Sequence, residues 1–212
     1  MLTLYHAPQT RSTRIVQLLI EMDILDKIDV KVVGVVRQGR FGAPDPDNPH
    51  AEGKVPLLVH DGAVIRESNA IILYLTDLFA GPMGPQVGDP LRGPYLSWLA
   101  YYGNVLEPVM VAKVAEVTHP AFANTFRGPE ELKNHLVAAL TDNPYLLGDR
   151  YTAADLLMSS AFGWFPAFTP DADVVRDWVA RCQDRPSVKA VADYDAARLP
   201  ADAYSESTAR KA

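Results

Sequence analysis

Residues 54–75 read KVPLLVHDGAVIRESNAIILYL, and the rest of the chain is organised around this stretch. Leu57-Leu58-Val59 is a short apolar run. Asp61-Gly62 follows as a two-residue hairpin signal, because a primed turn needs positive φ values that Asp and Gly tolerate. Ala63-Val64-Ile65 returns antiparallel. Ser68 or Asn69 is then able to cap a helix whose apolar positions Ile71, Ile72, Leu75 and Leu78 recur at helical spacing. The sequence therefore predicts strand, tight turn, strand and helix in immediate succession.

Two details give this hairpin chemical meaning. Val55-Pro56 opens the first strand, where an interior proline would remove a ladder hydrogen bond, so it belongs at an edge or a start. A proline there also has access to the cis isomer. Glu67-Ser68 stands where the second strand hands over to the helix. The amides and dipole of a helix start favour a ligand carboxylate, and Glu67 beside them is able to hold an ammonium. One short site could thus bind both charges of an α-amino acid head group.

The rest of the chain extends this pattern in both directions. Leu2 to His6 alternates like a strand, Ala7 to Ser12 is a loop broken by Pro8, and Ser12 or Thr13 starts a helix with Ile15, Leu18, Leu19 and Met22 on one side. Asp29 to Val36 reads as a second strand, parallel to the first through a right-handed crossover. Residues 37–53 read as an irregular loop with room for a short helix. This β-α-β, β-β-α order is that of a thioredoxin-like domain, spanning 1–79. Residues 80–94, dense in Pro and Gly, predict a linker. Residues 95–200 are helical in character: a stretch from Tyr95 to Ala115 kinked around Gly103 and Pro108, an amphipathic helix from Pro129 to Thr141, and helices at 173–184 and before Leu199. Thr152-Ala-Ala-Asp155 is a capping box with Asp in place of Glu. Residues 201–212 are small and polar and predict a frayed tail.

Composition narrows the function classes. The chain has 212 residues, 48% apolar and 22% charged, with a formal net charge of -6. An acidic balance argues against nucleic acid or an anionic membrane as the main partner. No apolar run reaches the roughly 18–20 residues of a spanning helix, and the N-terminus has no signal-peptide pattern. The single cysteine, Cys182, excludes an intramolecular disulfide and fits a reducing cytoplasm; free cysteines are commonly buried and inert. The five histidines show no metal-ligand spacing, so no metal is implied.

The K-V-P, D-G and E-S-x-A-I segments, with L-L-G-D-x-x-T-A-A-D at 146–155, resemble the cytosolic glutathione transferases over nearly the whole chain. The resemblance implies a thioredoxin-like domain followed by an all-helical domain, a homodimer in the cytoplasm, and glutathione as co-substrate. It implies that Pro56 is cis, that Val55 pairs backbone-to-backbone with the cysteinyl part of glutathione, that Glu67 and Ser68 hold its γ-glutamyl end, and that Lys54 faces its glycyl carboxylate. It places the thiol-activating residue in the loop Gln9-Thr10-Arg11-Ser12-Thr13-Arg14. Thr10 falls where bacterial serine-type members keep their serine and Arg11 where the beta class has its cysteine, which argues against cysteine-based disulfide exchange. Ser12, Thr10 and Arg11 are the candidates for thiolate stabilisation, with Tyr5 as a tyrosine-type alternative and helix capping as the structural alternative for Ser12. For the second substrate, Tyr101, Tyr102 and Trp164 are candidates, weighed against ordinary core roles.

The expected activity is conjugation of the glutathione thiolate to an electrophilic, partly apolar small molecule. Two other readings stay open: a non-catalytic binding or regulatory protein on the same fold, and a glutathione-dependent reductase, dehalogenase or isomerase.

Overall fold

A computed structural model describes residues 1–37, 41–201 and 203 of the chain. Its elements begin with β1 (Leu2–His6), α1 (Thr13–Glu21), β2 (Asp29–Val32), β3 (Leu57–His60), β4 (Ala63–Arg66) and α2 (Ser68–Leu78). They continue with α3 (Arg92–Tyr101), α4 (Glu107–Val114), α5 (Pro120–Phe126), α6 (Pro129–Leu140), α7 (Ala153–Trp164), α8 (Asp173–Gln183) and α9 (Pro186–Ala196). The chain forms two units, one of Met1–Ile71 with the segment from Pro186 onward, the other of Ile72–Arg185.

The first unit is built on a four-stranded sheet of order β2-β1-β3-β4. β1 and β2 are parallel and joined by α1, while β1–β3 and β3–β4 are antiparallel. The hairpin turn has Asp61 at φ 47 and Gly62 at φ 87, the two positive values a type I′ turn requires. α1 buries Ile15, Val16, Leu18 and Leu19 on one face, the helical spacing seen in the sequence. β2 ends at Val32 rather than Val36. Val33 N–H still reaches His6 O (2.9 Å), but the Gly34 amide is taken by the Asp45 carboxylate (2.8 Å), which ends the ladder. Among the described residues of 37–53 there is no helix; residues 38–40 lie outside the described set. α9 belongs with the sheet. Gln17 Nε2 donates to Ser187 Oγ (3.1 Å), and that hydroxyl donates to Glu21 (2.6 Å).

The second unit is helical. The stretch expected from Tyr95 to Ala115 is two helices joined by a π-helical segment, Tyr102–Leu106. Pro108 offers no amide to the ladder, and just before it Glu107 N–H bonds five residues back to Tyr102 O. α3 starts at Arg92, inside the expected linker. The Arg92 guanidinium fixes that start by gripping Asp77 (2.6 and 2.9 Å) and Pro85 O (2.8 Å). α5 is a short helix that no apolar period in the sequence marks. α7 has the expected capping box, and its Asp155 is buried, accepting from Leu146 N–H and Thr152 N–H (2.9 Å each) and from Trp178 Nε1 (3.0 Å). Of the expected frayed tail, residues 202 and 204–212 lie outside the described set. Among the described residues no helix is long and apolar enough to cross a membrane.

Candidate functional site

Strand register assembles the site. Tyr5 pairs with Leu57, and Leu57 pairs with Arg66, so these three stand in one row across the sheet. β4 ends at this row, β3 begins there, and β1 ends one residue beyond it, at His6. The loop after His6, the 54–56 segment and the Glu67-Ser68 corner therefore all leave the sheet at the same end. Residues distant in sequence are gathered by two antiparallel pairings, of which only β3–β4 is a hairpin.

At the corner the helix begins at Ser68 itself, so neither Ser68 nor Asn69 is its cap. Glu67 fills that role with its carbonyl, which accepts from Ile71 N–H (3.0 Å). Its φ of 70 lies in the left-handed region, a conformation that costs a non-glycine residue on the order of 1 kcal/mol. Strain of this kind collects at functional corners. The consequence is an exposed carboxylate beside the positive end of a helix dipole. Asn69 uses its side-chain oxygen locally, accepting from Ala70 N–H (3.0 Å).

The Val55–Pro56 peptide is cis. Pro56 is buried and Val55 half-buried. Lys54 is exposed, its ammonium 2.5 Å from the Glu52 carboxylate. Its carbonyl accepts from Asn48 Nδ2 (3.2 Å), and Asn48 Oδ1 accepts from His50 N–H (3.1 Å). Asn48, only 8% exposed, thus holds the strand entry in place. Nothing local in the sequence distinguishes this Asn from any other in a polar loop.

The loop after β1 departs most from expectation. Ser12 is fully buried and does not cap α1 with its side chain. Its Oγ accepts from Ala7 N–H (3.0 Å) and lies 2.8 Å from both His6 Nδ1 and Thr10 Oγ1. Thr10 is half-buried, with its hydroxyl 2.7 Å from Ala7 O. Thr13 donates to Asp195 Oδ2 on α9 (2.6 Å), and the same oxygen accepts Gln9 N–H (2.6 Å). Burial pushes the Asp195 carboxyl up, but the His6 imidazole beside it and hydrogen bonds from the Gln9 amide and Thr13 outweigh it and hold the group below the ordinary aspartate range. Arg11 is exposed, and Arg37 donates to Gln9 O (3.4 Å), so guanidinium groups flank the loop. Tyr5 is half-buried within β1, with the Lys31 ammonium 5.9 Å from its ring centroid. Of the three loop candidates, Thr10 and Arg11 keep accessible surface and Ser12 does not.

In the second unit, Tyr102 is a core residue at 5% exposure. Tyr101 is half-buried, its ring 5.7 Å from Trp98 and 4.8 Å from His135, and burial raises its phenol. Trp164 is 46% exposed. Cys182 is buried, which pushes its thiol up to about 12 and leaves it without nucleophilic character near neutrality. Among the described residues no group of three or more His, Cys, Asp or Glu is arranged to hold a metal.

Known proteins share this architecture. Residues 4–83 match the family described as glutathione S-transferase, N-terminal domain, and residues 112–193 the one described as glutathione S-transferase, C-terminal domain. The chain is 26% identical to glutathione S-transferase 3 of Schizosaccharomyces pombe, over 91% of this chain and 87% of that protein. It is 30% identical to the glutathione S-transferase-like protein OpS6 of Beauveria bassiana, over 71% and 76% respectively. A sphingomonad glutathione S-transferase, solved in complex with glutathione, superimposes with a TM-score of 0.69 at 25% identity, covering 92% of this chain and 98% of that one.

Proposed function

Because the chain belongs to the glutathione S-transferase family, we propose that it binds glutathione at this end of the sheet and transfers it to an electrophilic, partly apolar small molecule. One observation carries the reading: the shared row of Tyr5, Leu57 and Arg66 brings the thiol loop, the cis-proline segment and the Glu67-Ser68 corner to a single edge. Glu67 and the first turn of α2 then hold the γ-glutamyl ammonium and carboxylate, Val55 pairs with the cysteinyl backbone, Pro56 fixes that segment, and Lys54 faces the glycyl carboxylate. A homodimer in the cytoplasm is part of the same proposal, and rests on the family resemblance.

Chemistry at the thiol needs little more than charge stabilisation. A free thiol titrates near ~8.5, so lowering that value by about 1–2 units, or ~1.4–2.7 kcal/mol, supplies thiolate at neutral pH. In this reading the half-buried Thr10 donates its hydroxyl to the sulfur, and the exposed Arg11 guanidinium adds charge. The thiolate attacks an electrophilic carbon held beside it, a reaction accelerated by positioning rather than by a covalent enzyme intermediate. Tyr101 and Trp164 keep surface for an apolar substrate. Tyr102 does not.

Calorimetric titration with glutathione tests the site. Binding in the range of about 1 μM to 1 mM, lost in the double variant Glu67→Ala/Ser68→Ala, is the expected result; no heat from the wild type at millimolar glutathione would end the reading. The enclosure of Ser12 favours one rival, a glutathione-binding protein that no longer catalyses. An electrophile conjugation assay on wild type, Thr10→Ala and Arg11→Ala separates the two, since the rival predicts binding with no turnover in any of them.

A further inference from the structure

The thiol loop ends against a buried acid–base pair that the proposed chemistry leaves unused. His6 and Ser12 are fully enclosed and Asp195 is 2% exposed. His6 Nε2 stands 3.1 Å from Asp195 Oδ1, off the axis of a regular hydrogen bond, and neither atom has a hydrogen-bond partner among the described residues. Two titratable atoms buried against each other and otherwise unserved are uncommon, and such pairs call for an explanation. The remaining contacts form a line. His6 Nδ1 is 2.8 Å from Ser12 Oγ, and Ser12 Oγ is 2.8 Å from Thr10 Oγ1, the one member of the series with accessible surface.

The hydrogens in this line have a consistent direction. A neutral His6 carrying its proton on Nε2 faces the Asp195 carboxylate, and its Nδ1 then accepts from Ser12 O–H. Ser12 Oγ, already accepting from Ala7 N–H and with Ala7 O at 3.1 Å as a second acceptor for its own hydroxyl, has a lone pair left for Thr10 O–H. The Thr10 hydroxyl has Ala7 O at 2.7 Å as an alternative acceptor, so it can turn between two partners without being stranded.

Building on the glutathione reading above, we propose that Thr10, Ser12, His6 and Asp195 form a proton relay that takes the thiol proton of bound glutathione inward. The S–H bond breaks as its proton passes to Thr10 Oγ1, the Thr10 proton passes to Ser12 Oγ, and the Ser12 proton passes to His6 Nδ1. The products are a thiolate and an imidazolium, and no electrons change centre. The proton leaves His6 for solvent by the reverse path once the conjugate has departed. Thr10 touches the sulfur; Ser12, His6 and Asp195 are positioning residues. Among the described residues, the titratable groups set against His6 are Asp195 and Tyr194, whose ring centroid is 6.1 Å away, with the Arg198 guanidinium 3.7 Å from the Tyr194 ring centroid. Asp195 is the only anion among them, and it is what makes a buried imidazolium tolerable. It comes from the last helix of the chain. That helix thereby takes part in the chemistry of the first loop.

The test uses the full-length protein and glutathione. Thiolate absorbance of the bound ligand is followed against pH in wild type and in Asp195→Asn, with glutathione affinity measured in parallel. The amide keeps an acceptor oxygen and the shape of the group but not its charge. The relay predicts a thiolate curve displaced upward by about one pH unit, or about tenfold less thiolate at the acid end, with affinity within about twofold and the two curves meeting at alkaline pH. Superimposed curves overturn the relay, and so does an equal loss of affinity and thiolate at every pH, which is the mark of a merely structural role. If Asp195→Asn fails to fold by circular dichroism, Ser12→Ala decides. It breaks the line in its middle, leaves the Thr10 hydroxyl and the buried pair in place, and must give the same displacement. A wild type that does not bind glutathione overturns the relay together with the reading beneath it; a wild type that binds, with both variants undisplaced, overturns the relay alone.

Discussion

Lys54 and Glu52 illustrate how a single exposed pair can work against a ligand. The ammonium that would face the glycyl carboxylate of glutathione is 2.5 Å from Glu52, and that ion pair holds the Glu52 carboxyl below its ordinary value through its hydrogen bond to Lys54. Both side chains are exposed, so the pair is screened by solvent and its strength is small. In the proposed binding mode, Lys54 exchanges one carboxylate for another. The two partners should respond with opposite signs. Lys54→Ala weakens glutathione binding, whereas Glu52→Gln, which frees the ammonium, tightens it by about twofold at low salt, with the gain fading as salt rises. Calorimetry at two ionic strengths reads both. Equal weakening by the two substitutions would show that Glu52 supports the site instead of competing for it.

Among the helices, α7 depends on one carboxylate more than on its own propensity. Asp155 accepts from two backbone amides, the Thr152 hydroxyl and the Trp178 indole, all in a buried setting. Asp155→Ala strands those donors, and we expect a loss of about 3–4 kcal/mol in a urea melt. The pH dependence has a definite sign. Burial pushes this carboxyl above the ordinary aspartate value of 3.8, against the pull of its hydrogen bonds. The native form then holds the proton more tightly than the unfolded chain, so the contribution of Asp155 falls as pH rises from 3.8 through the raised value. Melts of wild type and Asp155→Asn across that interval should differ in slope, the wild type declining more; parallel curves would contradict the direction. This box was legible from Thr152-Ala-Ala-Asp155, as the hairpin was from Asp61-Gly62, because caps and turns depend on residues a few positions apart. Trp178 as a partner of Asp155 was not legible, nor was Asn48 under Lys54. Each of these contacts exists only after the chain has folded back on itself, and neither residue type marks it in advance. Ser12 shows the same limit from the other side: its place in the loop was plain, but its burial depends on His6 and Ala7 closing around it.

At the level of the whole chain, the covalent order and the physical grouping differ. The sheet unit is completed by the segment from Pro186 onward, so the chain crosses between units within α2 and again after Arg185. Three contacts to Asp195 and the Ser187 links to Gln17 and Glu21 tie α9 to the first strand, the first loop and α1. No periodicity could announce this, since Gln9 and Asp195 are 186 residues apart. Asp195 also gives the sheet unit a pH response opposite to that of Asp155. Its carboxyl is held below 3.8, so the stability it contributes is present above that value and is lost as pH falls through the lowered one. A chain ending at Arg185 would keep every strand and yet leave His6 buried without its anion and α1 without its covering helix. Hydrogen exchange on that truncated chain should show amide protection lost in β1 and α1 while α7 and α8, wholly within the other unit, retain theirs. Glutathione affinity should be lost with it, because the loop, the strand entry and the corner depend on the same sheet. Retained protection in β1 would mean that the sheet closes its own core, and would reduce α9 to an attachment.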